Sequence, residues 1–203
     1  MRHMIHLSNP NARHIGQAVG ALEKGGIIIY PTDTVYGMGC NVYDKKALEK
    51  LYRVKGKSPT DSMSLLCASI QQASNYVKIN NFVFKILKRC LPGPYTIILE
   101  ATREIPKLML SRKKQIGIRI PNSEVCRALI EGLGNPIVNS SATEEVTLEI
   151  PDGDFSMEYV ASADMLLDAG ILSDAVESTV VRIVGNDIEI LREGGGDPDL
   201  LFG

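Results

Sequence analysis

Three polar residues, Thr32-Asp33-Thr34, follow the apolar run Ile27-Ile28-Ile29-Tyr30 and a proline, and a glycine-punctuated turn, Val35-Tyr36-Gly37-Met38-Gly39, is expected directly after them. A strand that ends this way sets two hydroxyls and a carboxylate at the lip of a sheet, where open α/β sheets bind ligands. Four further stretches carry groups suited to an anion. In Lys55-Gly56-Lys57 the glycine lets backbone approach a ligand, and the flanking ammoniums can straddle a polyphosphate. In Gly117-Ile118-Arg119-Ile120-Pro121 the isoleucines alternate with a lone guanidinium, which suits two-point capture of a carboxylate or phosphate. Asn139-Ser140-Ser141-Ala142-Thr143 places small polar residues after a predicted strand, and Ser178 opens a strand whose successor closes on Arg192. Each stretch alone also fits a plainer reading: a capped turn, a solvated lysine loop, an edge-strand arginine. Together they are rich in donors and cations and poor in acid–base pairs. That combination predicts anion binding and positioning, which phosphoryl and adenylyl transfer chiefly require, rather than nucleophilic catalysis.

Other chemistries lack their residues. No G-x-x-x-x-G-K-[ST] or G-x-G-x-x-G pattern occurs, and Gly194-Gly195-Gly196 sits too near the C-terminus to open a nucleotide-binding helix. Cys40, Cys67, Cys90 and Cys126 form no CxxC pair, and His3, His6 and His14 lie far from them in sequence, so buried free thiols are expected and a zinc site is not. No apolar run reaches spanning length and no signal-peptide core is present, which predicts a cytoplasmic protein with no membrane contact.

The elements that must position these groups follow from periodicity. Helices are expected over 13–24, 45–54, 70–76, 80–89 and 124–132, with a short one at 106–110. Strands are expected at 4–7, 27–30, 64–67, 95–100, 115–120, 136–139, 164–168, 178–184 and 188–192, the one at 115–120 half-buried. Alternating helices and strands give a single α/β domain over 1–203, with a mixed sheet and flanking helices. Segment 143–162 is acidic and linker-like. The chain of 203 residues is 44% hydrophobic, enough for one sizeable core, and its net charge of −2 excludes a polycation. With aromatics at 5%, recognition of nucleic acid by base stacking is disfavoured.

Pro31-Thr32-Asp33-Thr34-Val35-Tyr36-Gly37, Leu91-Pro92-Gly93-Pro94-Tyr95-Thr96 and Gly117-Ile118-Arg119-Ile120-Pro121 resemble, in order and spacing, motifs of the YrdC-like family of threonylcarbamoyl-AMP synthases. Lys55-Gly56-Lys57, Ser141-Ala142-Thr143 and Ser178-Thr179-Val180-Val181 with Arg192 fall on further family elements, and the resemblance runs from about Ala18 to about Arg192. It implies a twisted sheet with a concave basic cleft, and the joining of L-threonine, bicarbonate and ATP into threonylcarbamoyl-AMP with release of pyrophosphate, in the pathway that modifies adenosine 37 of tRNA. Carried over residue by residue, it implies that Thr32, Thr34, Arg119, Asn139 and Ser178 bind threonine. It assigns Lys55, Lys57, Ser62, Ser141, Thr143 and Arg192 to the nucleotide, and Lys55 and Arg119 to electrostatic stabilisation. Mg²⁺ would accompany ATP; no zinc, haem or flavin is expected. The chain departs from the synthase pattern at Lys57 (an arginine in the family), at Thr143 (an asparagine), and around Ser62-Met63 and Cys67, where the synthases carry Asn-Pro and a histidine. These departures suit the YciO branch. Losing a planar fork and an amide costs on the order of a few kcal/mol at a transition state. The alternative function is non-catalytic binding of double-stranded RNA or tRNA in the same cleft.

Overall fold

A computed structural model describes residues 1–57, 63–110, 114–142, 160–172 and 175–203. Its strands are β1 (Arg2–Met4), β2 (Ile28–Tyr30), β3 (Gly37–Asn41), β4 (Ser64–Leu66), β5 (Tyr95–Glu100), β6 (Gln115–Arg119), β7 (Ile137–Ser141), β8 (Met165–Asp168), β9 (Thr179–Val184) and β10 (Asp187–Arg192). The α-helices are α1 (Ala12–Glu23), α2 (Lys45–Val54), α3 (Ile70–Ala73), α4 (Asn81–Cys90) and α5 (Glu124–Leu133). Lys107–Met109 forms a 3₁₀ turn where a short helix was expected.

Local chemistry sets most of these boundaries. Asn11, Asp44, Asn80 and Ser123 each cap a helix by accepting from backbone amides one turn ahead. Gly134, at φ +76°, ends α5 in the left-handed conformation that a Cβ disfavours. Two strand assignments needed correction. The first strand is Arg2–Met4, not residues 4–7, because Arg2, His3 and Met4 pair in parallel with Leu166, Leu167 and Asp168. Gly37-Met38-Gly39 is strand rather than turn: it begins β3, which pairs with both β2 and β7.

All ten strands form one mixed sheet in the order β1-β8-β2-β3-β7-β4-β6-β5-β9-β10. On one face Leu48, Leu51, Ile86 and Leu87 from α2 and α4 pack against Met38, Leu65, Ile97 and Ile118. On the other, α1 and α5 bury Leu22, Val125, Leu129 and Ile130 against Ile28, Tyr30, Leu66 and Ile137. Each such side chain contributes roughly 1.5–3 kcal/mol by leaving water. The second face is only half covered. Thr96 and Ile98 of β5 and Val180 and Arg182 of β9 point to it and are half-buried, and among the described residues no helix lies over them. That partly bare stretch of sheet positions the site.

Candidate functional site

Arg119, the last residue of β6, is only 3% exposed. The expected half-buried strand is in fact buried from Ile116 onward, because β4 and β5 flank it. Arg119 is therefore neither an edge arginine nor a solvated one. Both protons of its Nη2 are engaged, donating to Asp33 Oδ1 at 2.9 Å and Thr34 Oγ1 at 2.8 Å. Its Nε is buried and has no partner among the described residues. The Asp33 side chain is itself 8% exposed, and its Oδ2 accepts from the Asn122 amide at 2.9 Å.

The Thr32–Thr34 turn does not stand at the lip of the sheet. Tyr30, from which it departs, lies opposite Gly37, and Gly37 lies opposite Ser141. Arg119 lies opposite Leu66, and Leu66 opposite Ile137, four residues down β7. At about 3.3 Å per residue this separation exceeds the reach of an arginine side chain, so the turn folds back over the sheet face to meet Arg119. Its hydroxyls form a chain with one direction. Thr32 Oγ1 donates its only proton to the Val35 carbonyl at 2.6 Å and accepts from the Thr34 amide at 3.1 Å. In the 3.0 Å contact between the two hydroxyls Thr34 must then be the donor. Thr34 Oγ1 thus accepts from Arg119 and keeps one lone pair for a ligand, but neither threonine retains a hydroxyl proton to give one.

Tyr30 and Asn139 extend the site. The Tyr30 hydroxyl donates to Asn139 Oδ1 at 2.8 Å, and burial pushes its pKa well above the ordinary value, so it stays a donor. That contact turns the Asn139 amide nitrogen away from Tyr30. Gly37 makes the arrangement possible, since a methyl there would overlap Asn139 Oδ1 and lie 3.0 Å from the Tyr30 ring. Tyr36 ties the turn to the loop after β8, donating to the Gly170 carbonyl and accepting from the Ala169 amide, each at 2.8 Å.

One strand away, Thr96 lies opposite the Arg119 position, one step beyond the Ile97–Ile118 pair. Its hydroxyl is 2.8 Å from that of Ser178. Arg192 donates to the Ser178 carbonyl from Nε at 3.1 Å and from Nη2 at 2.9 Å, and pairs through Nη1 with Glu177 at 2.6 Å. Gly194 and Gly196 both donate to Thr179 Oγ1, at 2.9 and 3.0 Å, wrapping the C-terminal segment around this strand start.

The expected threonine set, Thr32, Thr34, Arg119, Asn139 and Ser178, thus gathers on one face. The expected nucleotide set is spread more widely. Ser141 ends β7 on the same face as Asn139, whereas the Lys57 ammonium reaches Ser140 Oγ, at 3.3 Å, from the opposite face. Lys55 is the C-cap of α2. Ser62, Thr143 and nearly all of the acidic segment lie outside the described residues. Asp33, Tyr30, Thr96 and Glu177 were absent from the expected set. Asp33 carried a signal, a carboxylate set between two hydroxyls in a chain that also offers a lone strand arginine.

A separate cavity of about 630 Å³ opens beyond the C-terminal ends of the parallel β4 and β6, sharing Asn122 with the Arg119 cluster. All four cysteines are free and buried, as expected. No helix among the described residues is long and apolar enough to cross a membrane. Nor does any group of three or more His, Cys, Asp and Glu among them stand ready to hold a metal ion.

A family model described as telomere recombination and named for Sua5, YciO and YrdC matches residues 20–194. The YciO protein of Escherichia coli strain K12 is 35% identical over 201 residues, covering 95% of each chain. A putative threonylcarbamoyl-AMP synthase of Methanocaldococcus jannaschii is 32% identical over 172 residues, covering 84% of this chain and 81% of its own. Among solved structures, E. coli YciO superposes with a TM-score of 0.88 at 32% identity over 99% of this chain and 98% of its own. Pyrococcus abyssi Sua5 in complex with L-threonine superposes with a TM-score of 0.83 at 26% identity, over 96% of this chain and 58% of its own.

Proposed function

The chain belongs to the family of Sua5, YciO and YrdC, and on that premise we propose that it binds L-threonine and condenses it with bicarbonate and ATP to threonylcarbamoyl-AMP and pyrophosphate. The observation that carries this reading is the buried Arg119 guanidinium, whose unpartnered Nε sits beside a hydroxyl chain that can only accept. A zwitterionic amino acid matches both features: its carboxylate takes the guanidinium, and its amino group donates to Thr34 Oγ1. A homologue solved with L-threonine supports the choice of amino acid, and threonylcarbamoyl-AMP synthases among the relatives support the reaction.

In the proposed chemistry the threonine ammonium first loses a proton to solvent, and the free amine then adds to bicarbonate with loss of water, giving a carbamate. A carbamate oxygen then forms a bond to the α-phosphorus of ATP while the bond to the β-phosphate oxygen breaks, and pyrophosphate leaves. The chain's share is to orient the amino acid through Arg119, Thr34, Asn139 and Ser178 and to keep water from it. Lys57, which now contacts Ser140 on the opposite face of the sheet, would have to leave it to meet the nucleotide. Arg192 would have to exchange Glu177 for phosphate, since that carboxylate now holds it. Mg²⁺ would enter on the triphosphate, the described residues offering no cage for it. The RNA-binding alternative is less well supported, because Arg119, Arg182 and Arg192 on this face are each matched by Asp33, Glu189 and Glu177.

The test is pyrophosphate release from ATP with L-threonine and bicarbonate. Threonine-dependent release that Arg119→Ala abolishes is expected. No release together with no binding of L-threonine or ATP by calorimetry rejects the proposal.

A further inference from the structure

We propose that the cavity beyond β4 and β6 is a second ligand site, separate from the Arg119 cluster, and that it takes a small apolar carboxylate. This goes beyond the reaction proposed above and stands whether or not the chain carries that reaction out.

Topology makes the cavity. β4 and β6 are neighbours and run parallel, with Ser64, Leu65 and Leu66 opposite Gly117, Ile118 and Arg119. From β4 the chain passes into α3 and α4, whose Ala73, Val83 and Leu87 pack on the α2 side of the sheet. From β6 it passes into α5, whose Val125 and Leu129 pack on the α1 side. Two parallel neighbours whose connections leave on opposite faces open a crevice at their carboxyl ends, the place where open α/β sheets hold ligands. The crevice has a volume of about 630 Å³, within the ~300–1,000 Å³ of small-molecule sites.

The lining selects the ligand. Ile70, Leu91, Ile120 and Ile130 supply apolar surface, and Phe84, 46% exposed, adds a ring that an apolar body would cover. The polar groups are mostly donors with protons to spare. Ser69 Oγ accepts from the Gln72 amide at 3.1 Å and Ser123 Oγ from the Cys126 amide at 3.3 Å, but neither hydroxyl gives its own proton to a described residue. Asn122 spends its backbone amide on Asp33, and its side-chain amide has no partner among the described residues. The Lys88 ammonium likewise meets no carboxylate among them. The one carboxylate on the lining, Glu124, is already held by Arg127. A ligand ammonium therefore finds no free counter-charge, which disfavours an amino acid such as L-threonine. An anion finds one unpaired cation and several donors. One cation suits the single charge of a carboxylate better than the double charge of a phosphate monoester, which calls for a guanidinium fork.

The experiment titrates the full-length ¹⁵N-labelled chain with hydrocinnamate, isocaproate and indoleacetate, each beside the alcohol of the same skeleton, and with phenyl phosphate. At least one acid should shift the amides of Ala68, Ser69, Asn122 and Ser123 saturably, with a Kd of about 0.1–10 mM for a ligand of this size. Its alcohol should bind about tenfold more weakly, having lost the charge-assisted contacts. L-Threonine should not displace the acid. Lys88→Met keeps the stem and removes the charge, so it should weaken the acid about threefold or more and leave the alcohol unchanged. Phe84→Ala should weaken acid and alcohol alike. Both side chains are exposed, so both variants should fold. The proposal is overturned if no acid gives a saturable shift, or if the shifts centre on Thr34 and Arg119. It is overturned equally if alcohols or phenyl phosphate bind as tightly as the acids, if L-threonine displaces them, or if Lys88→Met and Phe84→Ala leave binding as it was. Should either variant not fold, the place of the shifts and the acid-to-alcohol ratio in the wild type decide.

Discussion

Gly37→Ala probes how the site holds Asn139. Gly37 lies in β3 with Asn139 Oδ1 directly over it and the Tyr30 ring 3.0 Å from where a methyl would sit. The strand backbone accepts alanine, so the cost comes from the side chains it displaces. Crowding a packed core costs about 1–3 kcal/mol. Pushing Asn139 aside also breaks its 2.8 Å bond to Tyr30 and leaves a fully buried hydroxyl unsatisfied, a further ~1–3 kcal/mol. The expected loss is thus about 2–6 kcal/mol in urea unfolding, or roughly 4–24 °C in Tm for a chain of this size. A double-mutant cycle with Asn139→Ala isolates the mechanism. Once Oδ1 is gone, the methyl meets only the tyrosine ring, so Gly37→Ala should cost about 1–3 kcal/mol less in the Asn139→Ala background. Variants that still fold should bind L-threonine more weakly, because the Asn139 amide nitrogen has lost its direction. Costs that add within about 0.5 kcal/mol would refute the reasoning, for they would show that Gly37 and Asn139 act independently.

Further predictions rest on other contacts. Ser178→Ala removes the partner of the Thr96 hydroxyl but not the carbonyl that holds Arg192, so L-threonine affinity should fall by calorimetry while Tm moves by only a few degrees. Gly194→Ala drives a methyl into the Glu177 and Ser178 backbone, and thermal melts should show severe destabilisation. Burial pushes the Cys40, Cys67 and Cys126 thiols from 9.0 up to about 12. Above pH 9 the unfolded chain therefore binds fewer protons than the folded one, and each thiol should lower the unfolding free energy by ~1.4 kcal/mol per pH unit until its folded pKa is reached. A shallower alkaline slope in Cys40→Ala melts checks this, and an unchanged slope contradicts it. For the same reason the native thiols should resist a disulfide reagent at pH 8 and react in urea.

The capped helices and most of the buried strands were legible in the residues, because caps and apolar periodicity act within one turn of helix or one pleat of strand. Asn11, Asp44, Asn80 and Ser123 each reach an amide two or three residues away, and nothing distant can overrule such a contact cheaply. The family motifs were legible for a related reason, since they sit at the ends of those elements. The segment Gly37-Met38-Gly39 was not, because glycines signal a turn until partners on both sides make them a strand. The family resemblance supplied the expected threonine set but not the way its members are held. That Arg119 is buried, that Asp33 takes one of its Nη2 protons, and that Thr34 can accept but not donate all depend on residues more than eighty positions apart meeting across a folded-back turn. Proton direction and burial are properties of the assembled sheet, decided by which strands flank β6 and by the turn that closes over it; no single stretch of the chain contains them.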